Sequence, residues 1–395
     1  MQKLIIIGGG IIGLATALKA ARSGKFGDIV LIEKDSAVGG HQSSHNSGVL
    51  HCGLYYKPGS LKAQLAVKGI REMVEFCEQT NVPHEICGKL VVAVNEDEVE
   101  RLKDLHARGS ANGLKGLEWL NGEQAREIEP HVAAIAALRV PEEGIVSYAL
   151  VMRSMAEEIR KLGHEILTDS EVISIKEVNG KQSVQTRRGE VVGDQVINCA
   201  GLHCDRVAAS AGIPLDSQII PFRGDYWKLS AEGEHLCRNL IYPVPDSTLP
   251  FLGVHFTRMI GGGVEAGPNA VLSFKREGYK KTDFSFKDSW DTFTWPGLYQ
   301  FLKKYPGTTW NELRNSFSKK VFLANLQKLI PEITMNHLSA DGGSGVRAQA
   351  IHRNGSILLD FSIEKKKGQL HLLNAPSPGA TASLAIGEYL INQLD

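Results

Sequence analysis

The chain has 395 residues with 44 Lys+Arg against 44 Asp+Glu, and this zero formal net charge gives no overall electrostatic footprint for nucleic acid or an anionic membrane. Hydrophobic residues at 43% and charged residues at 22% fit a folded protein of about two domains, and exclude disorder, collagen-like repeats and a small disulfide scaffold. Glycine, at 41 residues, is the one excess, and much of it is clustered.

Residues 4–18 are uncharged and follow Lys3, but they fall short of the ~20 residues that cross a bilayer. Four glycines interrupt them and no small-x-small cleavage site follows, so neither a membrane span nor a signal peptide is expected. Within this run, residues 4–7 are apolar and β-branched and predict a buried parallel strand. Gly8-Gly9-Gly10-Ile11-Ile12-Gly13 follows at once, then a helical Ala/Leu pattern over 12–23 and a second strand over 28–32 that ends at Glu33. Gly8 permits the tight turn, Gly10 lets backbone approach a pyrophosphate, and Gly13 lets helix and strand pack closely. The helix N-terminus then holds the diphosphate and Glu33 accepts from ribose hydroxyls, which together read as a dinucleotide site.

Further along, residues 61–79 predict a helix, 89–140 give mixed signals, and 148–162 predict another helix. Strands are expected over 172–175, 182–187 and 191–200, the last running into Gly201. The stretch 221–271 reads as an antiparallel sheet with strands at 224–229, 241–244, 252–257 and 263–268. Residues 287–330 look mainly helical, and the Gly/Pro-rich stretch 374–382 precedes a final helix over 383–393. There is no internal repeat. The pattern predicts an α/β Rossmann-like cofactor domain built discontinuously from 1–80, 148–215 and 335–395. An α+β substrate domain with an antiparallel sheet would take 81–147 and 216–334. A long dinucleotide touched by such distant segments favours FAD over NAD. A helix starting near residues 378–380 would aim its positive end at the pyrimidine side of the ring.

Cys52, Cys77, Cys87, Cys199, Cys204 and Cys237 form no Cys-x-x-Cys pair and complete no zinc set, and read as reduced thiols of a cytoplasmic protein. His41, His45 and His51 match no common ligand spacing, so no metal is expected.

The glycine motif, the segment Val196-Ile197-Asn198-Cys199-Ala200-Gly201 and the loop at 374–382 resemble the FAD-dependent D-amino-acid oxidase / glycine oxidase superfamily. Within it, His45-Asn46-Ser47-Gly48-Val49-Leu50-His51, Cys87-Gly88-Lys89, Pro221-Phe222-Arg223-Gly224-Asp225-Tyr226, Phe274-Lys275-Arg276-Glu277-Gly278-Tyr279 and Gly345-Val346-Arg347 resemble L-2-hydroxyglutarate dehydrogenases/oxidases. Such blocks run along most of the chain, though 283–325 match no pattern. Departures are small: Cys52 stands where Ala or Ser is common, and Gly379 where Ala is common.

The resemblance implies FAD contacts from Ile12, Lys34, His45, Ser47, Gly48, Val172, Ala200, Gly201, Arg347, Pro378, Gly379, Ala380 and Thr381, beside those of the glycine motif and Glu33. It implies oxidation of L-2-hydroxyglutarate to 2-oxoglutarate, with electrons passed to quinone or O2. Removing hydride beside a carboxylate calls for a cation on that carboxylate and a base for the hydroxyl proton. Arg347 matches the carboxylate position of related oxidases, and a guanidinium suits it. His51, in the loop that the resemblance sets beside the flavin, and His255, in an apolar strand, are the candidate bases; spacing does not choose between them. A second substrate carboxylate calls for another cation, with Arg276 and Arg223 as candidates, and Tyr56 or Tyr55 could donate hydroxyl hydrogen bonds. Covalent flavin attachment through His or Cys52 is a minor alternative. Trp290, Trp295 and Trp310 lie among lysines and suggest an amphipathic patch touching the inner face of the cytoplasmic membrane. The competing readings are an amine oxidase of the glycine/sarcosine type and a non-enzymatic binder on the same fold.

Overall fold

Apolar β-branched runs become two adjacent inner strands, β1 (Gln2–Ile7) and β2 (Phe26–Ile32), joined by helix α1 (Ile11–Ser23). These come from a computed structural model that describes residues 1–246, 253–304, 319–339 and 342–394. β1 pairs in parallel with β2 on one side and with Gln195–Asn198 on the other. Gln369–Asn374 and Glu165–Leu167 extend the sheet in parallel, and Ser362–Lys366 adds an antiparallel edge. Neighbouring strands therefore come from distant parts of the chain, which a crossover-built parallel sheet allows. One face packs on α1, on α2 (Leu61–Gln79) and on the helix Ser383–Ile391, burying Leu4, Ile6, Leu14, Leu18, Ile70 and Ile386. The other face packs Ile5, Ile7, Val30 and Val196 against Ile175 and Val184 of a three-stranded antiparallel sheet.

A second, eight-stranded sheet holds the middle of the chain. It is mixed: Leu240–Pro243 pairs antiparallel with His255–Arg258 but parallel with Lys89–Ala93, a strand from the first quarter of the sequence. Its core gathers Leu90, Val92, Ile241, Phe256, Phe322 and Ile330. Between the two sheets, the long strand Ser217–Asp225 pairs with Ser344–His352, so that Arg347 lies opposite Phe222.

The sequence-based strand over 191–200 proves to be two. Gly189–Gly193 closes a hairpin and Gln195–Asn198 joins the parallel sheet. Asp194 marks the switch, accepting from the Lys3 backbone N–H at 2.7 Å and pairing with Lys181. The run over 224–229 likewise divides at Tyr226 into Ser217–Asp225 and Trp227–Leu229, strands of different sheets. Of the run over 252–257, Leu252 lies outside the described residues, Gly253 and Val254 are irregular, and the strand is His255–Arg258. The helical stretch 287–330 resolves into Phe286–Thr294, Pro296–Lys304 and Lys319–Gln327, with Trp310 outside the described residues. Trp295 is core rather than surface: it is buried and its indole N–H donates to the Ile351 carbonyl at 3.0 Å. The last helix starts at Ser383, later than 378–380, because residues 377–382 form turns. No helix among the described residues is long and apolar enough to cross a membrane.

Candidate active site

A cavity of about 1600 Å³ runs from the glycine turn to the second sheet. That exceeds the ~300–1,000 Å³ of an ordinary small-ligand pocket and leaves room for a dinucleotide together with a substrate. Its first half is made of backbone. Gly8 has φ +109°, a region open to glycine, and a Cβ there would lie 2.5 Å from the Cys199 carbonyl oxygen. A Cβ at Gly13 would come within 1.9 Å of the Gly8 carbonyl oxygen, so α1 can seat this close to β1 only without a side chain. The α1 N-cap, Gly10, offers no capping side chain and no acidic residue sits in the first turn; the Ile11 N–H donates to the Ser43 hydroxyl at 3.0 Å, and the positive helix end faces the cavity. Glu33 holds the turn, accepting from Gly9 N–H at 2.7 Å and Asp35 N–H at 2.9 Å. This cradle fits the diphosphate and ribose of FAD.

Ile12, Lys34, His45, Ser47, Val172, Ala200, Gly201, Pro378, Gly379, Ala380 and Thr381 all line the cavity, as does Arg347. Gly13 and Gly48 stand behind it, the first as a packing contact and the second, at φ +66°, turning the chain into the strand Val49–Leu50. Thr381 ties the late loop to the early one: its hydroxyl accepts from the His51 N–H at 3.1 Å and bonds with the Tyr148 hydroxyl at 2.6 Å.

An ionic cluster closes over the same half. Glu277 meets Lys34 at 2.9 Å and His203 at 2.8 Å, while His41 reaches Asp35 at 2.6 Å. Burial pushes the Glu277 carboxyl up, but His203 and Lys34 overcome it and hold it down at about 2. His45 stacks on Tyr279 at 3.8 Å between ring centroids. Neither Glu277 nor His203 stood out in the sequence, because only the fold brings them beside Lys34.

The second half is made of side chains. Arg347, His51, His255 and Tyr56 all line it. Arg347 rises from Ser344–His352 and donates to the Asn269 carbonyl at 3.3 Å. His255 is 7% exposed, stacks on Tyr242 at 3.9 Å, and is 2.9 Å from the Gly253 carbonyl through Nδ1. A carbonyl can only accept, so Nδ1 carries the proton and Nε2 the lone pair. Burial lowers its pKa to about 3, which keeps the ring neutral.

His51 differs by its partner. Its Nδ1 lies 3.4 Å from Glu143 Oε2, and the same oxygen lies 2.5 Å from Lys89 Nζ. Both of these charged side chains have 0% exposure. Glu143 also accepts from the Cys52 backbone N–H at 3.2 Å, and Lys89 Nζ sits 4.6 Å from the Tyr55 and Tyr242 ring centroids. Burial would raise the Glu143 carboxyl, yet Lys89 and His51 hold it well below the usual carboxylate range. Sequence reading missed this pair: Glu143 follows another glutamate in a loop, and Lys89 opens an apolar strand, so neither looks buried.

The remaining candidates go elsewhere. Arg276 does not line the cavity; it is 2% exposed, forks onto Asp205 and donates to the Leu202 carbonyl at 2.6 Å. It pins its loop to the 202–205 segment, so its charge is spent on Asp205 and not on a substrate carboxylate, contrary to the expectation from sequence. Arg223 is similarly spent on Asp225 at 2.8 Å and the Lys280 carbonyl at 2.9 Å. Cys52 is buried against Glu143 and does not line the cavity. Among the described residues no group of His, Cys, Asp and Glu is arranged to hold a metal ion.

Comparison with known proteins adds the following. A family model described as FAD dependent oxidoreductase matches residues 3–393. An L-2-hydroxyglutarate dehydrogenase of Indibacter alkaliphilus is 49% identical over 98% of this chain and 96% of its own length. One of Escherichia coli K12 is 41% identical over 100% of this chain and 93% of its own. Among solved structures, the FAD-bound L-alpha-glycerophosphate oxidase of Mycoplasma pneumoniae superposes with a TM-score of 0.78 at 25% identity, covering 99% of this chain and 94% of that one.

Proposed function

Because this chain belongs to the FAD dependent oxidoreductase family, we propose that it oxidises L-2-hydroxyglutarate to 2-oxoglutarate. The observation that carries the reading is the convergence of Arg347, His51 and neutral His255 at one end of a cavity whose other end is a dinucleotide cradle. FAD, when bound, supplies the hydride acceptor. Arg347 pins the carboxylate next to the reacting carbon, where a planar fork fixes both oxygens and hence which hydrogen faces the ring. His51 takes the hydroxyl proton on Nε2: its Nδ1 lies 3.4 Å from the Glu143 carboxylate, a counter-charge for the proton taken up, whereas His255, pushed to about 3, is a poor store for a proton. The Nε2 lone pair of His255 is instead an acceptor that can orient the substrate. Tyr56 lines the wall, and its ring carries Lys62 Nζ at 4.4 Å. With Arg276 and Arg223 occupied, Lys62 is the cation assigned to the distal carboxylate.

This reading includes a division of labour between a discontinuous cofactor domain (1–80, 148–215, 335–395) and a substrate domain from the rest. Support comes from the mainly parallel six-stranded sheet at one end of the cavity and the mixed eight-stranded sheet at the other. It also includes a peripheral contact with the inner face of the cytoplasmic membrane, where electrons would pass to quinone rather than O2. The support is an exposed aromatic group: Phe286 and Trp290 stack at 6.2 Å, are 74% and 61% exposed, and stand beside Lys287. Sedimentation with anionic vesicles should fall for Phe286→Ser/Trp290→Ser; unchanged sedimentation removes the membrane contact.

The test of the activity is anaerobic mixing of the yellow holoenzyme with a panel of substrates. L-2-hydroxyglutarate should bleach the flavin, and its D-enantiomer, glycine and sarcosine should not. Bleaching by the amines alone would replace the reading with an amine oxidase.

A further inference from the structure

A buried ion pair is a poor means of stabilisation, since desolvating two charges costs about as much as their attraction returns. Lys89 and Glu143 are nevertheless both sealed from solvent, directly behind the residue assigned as base. Nothing in the packing of the second sheet calls for them: Lys89 opens a strand whose other positions, Leu90, Val91, Val92 and Ala93, are apolar. One charge faces His51 directly, and the other reaches His255 through an aromatic ring. Glu143 faces His51 Nδ1 at 3.4 Å. Lys89 lies 4.6 Å from the Tyr242 ring, and that ring stacks on His255 at 3.9 Å and meets His51 edge-on at 6.3 Å.

We propose that Lys89 and Glu143 are positioning residues for the oxidation, a buried pair that fixes the His51 tautomer with Nε2 toward the substrate and, through Tyr242, sets the height of His255 against it. Glu143, an acceptor only, keeps the proton on Nδ1 and balances the imidazolium that forms when Nε2 takes the hydroxyl proton. Lys89 holds that carboxylate ionised. The other titratable groups facing this corner are Cys52 and Tyr55 on the His51 segment, Tyr242 and His255 from the sheet, and Arg347 from its own strand. Burial first of all pushes the Cys52, Tyr55 and Tyr242 groups well up, so they stay neutral, and Arg347 is common to every variant below.

The inference rests on the reading of His51 as base, and the two can fail separately. Glu143→Gln leaves the Lys89 charge alone beside His51 and should move the acid limb of the flavin-reduction rate to lower pH. Lys89→Met leaves the Glu143 charge alone and should move it to higher pH. The His51 imidazole, titrated by ¹⁵N NMR in histidine-labelled holoenzyme and assigned with His51→Gln, should move the same way in each variant. Glu143→Gln should also slow reduction by about 10- to 1,000-fold with little change in KM. The double variant Lys89→Met/Glu143→Met carries no unpaired charge; it should fold, stay yellow and still reduce at least tenfold more slowly. Shifts of the same sign in the two single variants, no NMR shift, or a wild-type rate in the double variant would overturn the pairing. Loss of bleaching in the wild type itself would instead overturn the substrate reading.

Discussion

The two halves of the cavity reach their purposes by opposite means. Around the glycine turn the active surface is backbone, made by leaving side chains out at Gly8, Gly10 and Gly13. Around His51 it is all side chain, with charges from a strand at Lys89 and a loop at Glu143 converging on one imidazole. A backbone site is contiguous in sequence because one turn and one helix end suffice. A side-chain site of this kind is assembled across sheets, and its parts gain meaning only by proximity.

The sharpest way to break the comparison is to damage each half separately. His51→Ala should cost about 100- to 10,000-fold in the rate of flavin bleaching while the protein stays yellow. Gly13→Ala, whose new methyl would collide with the Gly8 carbonyl, should do the reverse and yield a colourless protein with a lower Tm. If His51→Ala lost its FAD, or Gly13→Ala kept it with normal stability, the two halves would not be separable.

Next comes the arginine that joins them. Arg276→Met strands the Asp205 carboxylate in the interior and should destabilise the fold by about 3–5 kcal/mol in thermal or urea unfolding. The KM of the protein that remains folded should be unaltered, whereas a large rise in KM would return Arg276 to the substrate. The smallest effect belongs to Lys62. Burial lowers its pKa to about 8, so it is charged below that pH and neutral above it. The value of kcat/KM for the dicarboxylate should therefore fall by about tenfold as pH rises through 8, and Lys62→Met should flatten that limb.

These contrasts explain what could be read in advance. The βαβ start, α2, the late helix and the FAD cradle are legible because each depends on local periodicity or on glycines at fixed spacing. Both catalytic histidine candidates and Arg347 were also visible, through blocks of neighbouring residues, and the fold brings them to one cavity. The choice between the histidines was not legible, because it turns on a carboxylate 92 positions from His51 in one case and burial in the other. Arg276 misled for a related reason. In sequence the guanidinium in the block 274–279 looks available to a substrate carboxylate, and its partner Asp205 lies 71 residues earlier. The splits at Asp194 and Tyr226 were hidden too, since a strand that changes sheets keeps its β-branched composition throughout.

The order of the six-stranded sheet bears on how the protein comes into being. Strand Gln369–Asn374 docks on Gln195–Asn198, which docks on β1, and Thr381 bonds to the backbone of His51. On the ribosome, β1 can pair with β2 early but must wait for its other neighbour, made nearly two hundred residues later, and for a loop made later still, while strands of the second sheet from residues 89–267 can already pair. Completing the cofactor cradle thus becomes a late event that needs segments from both ends of the chain.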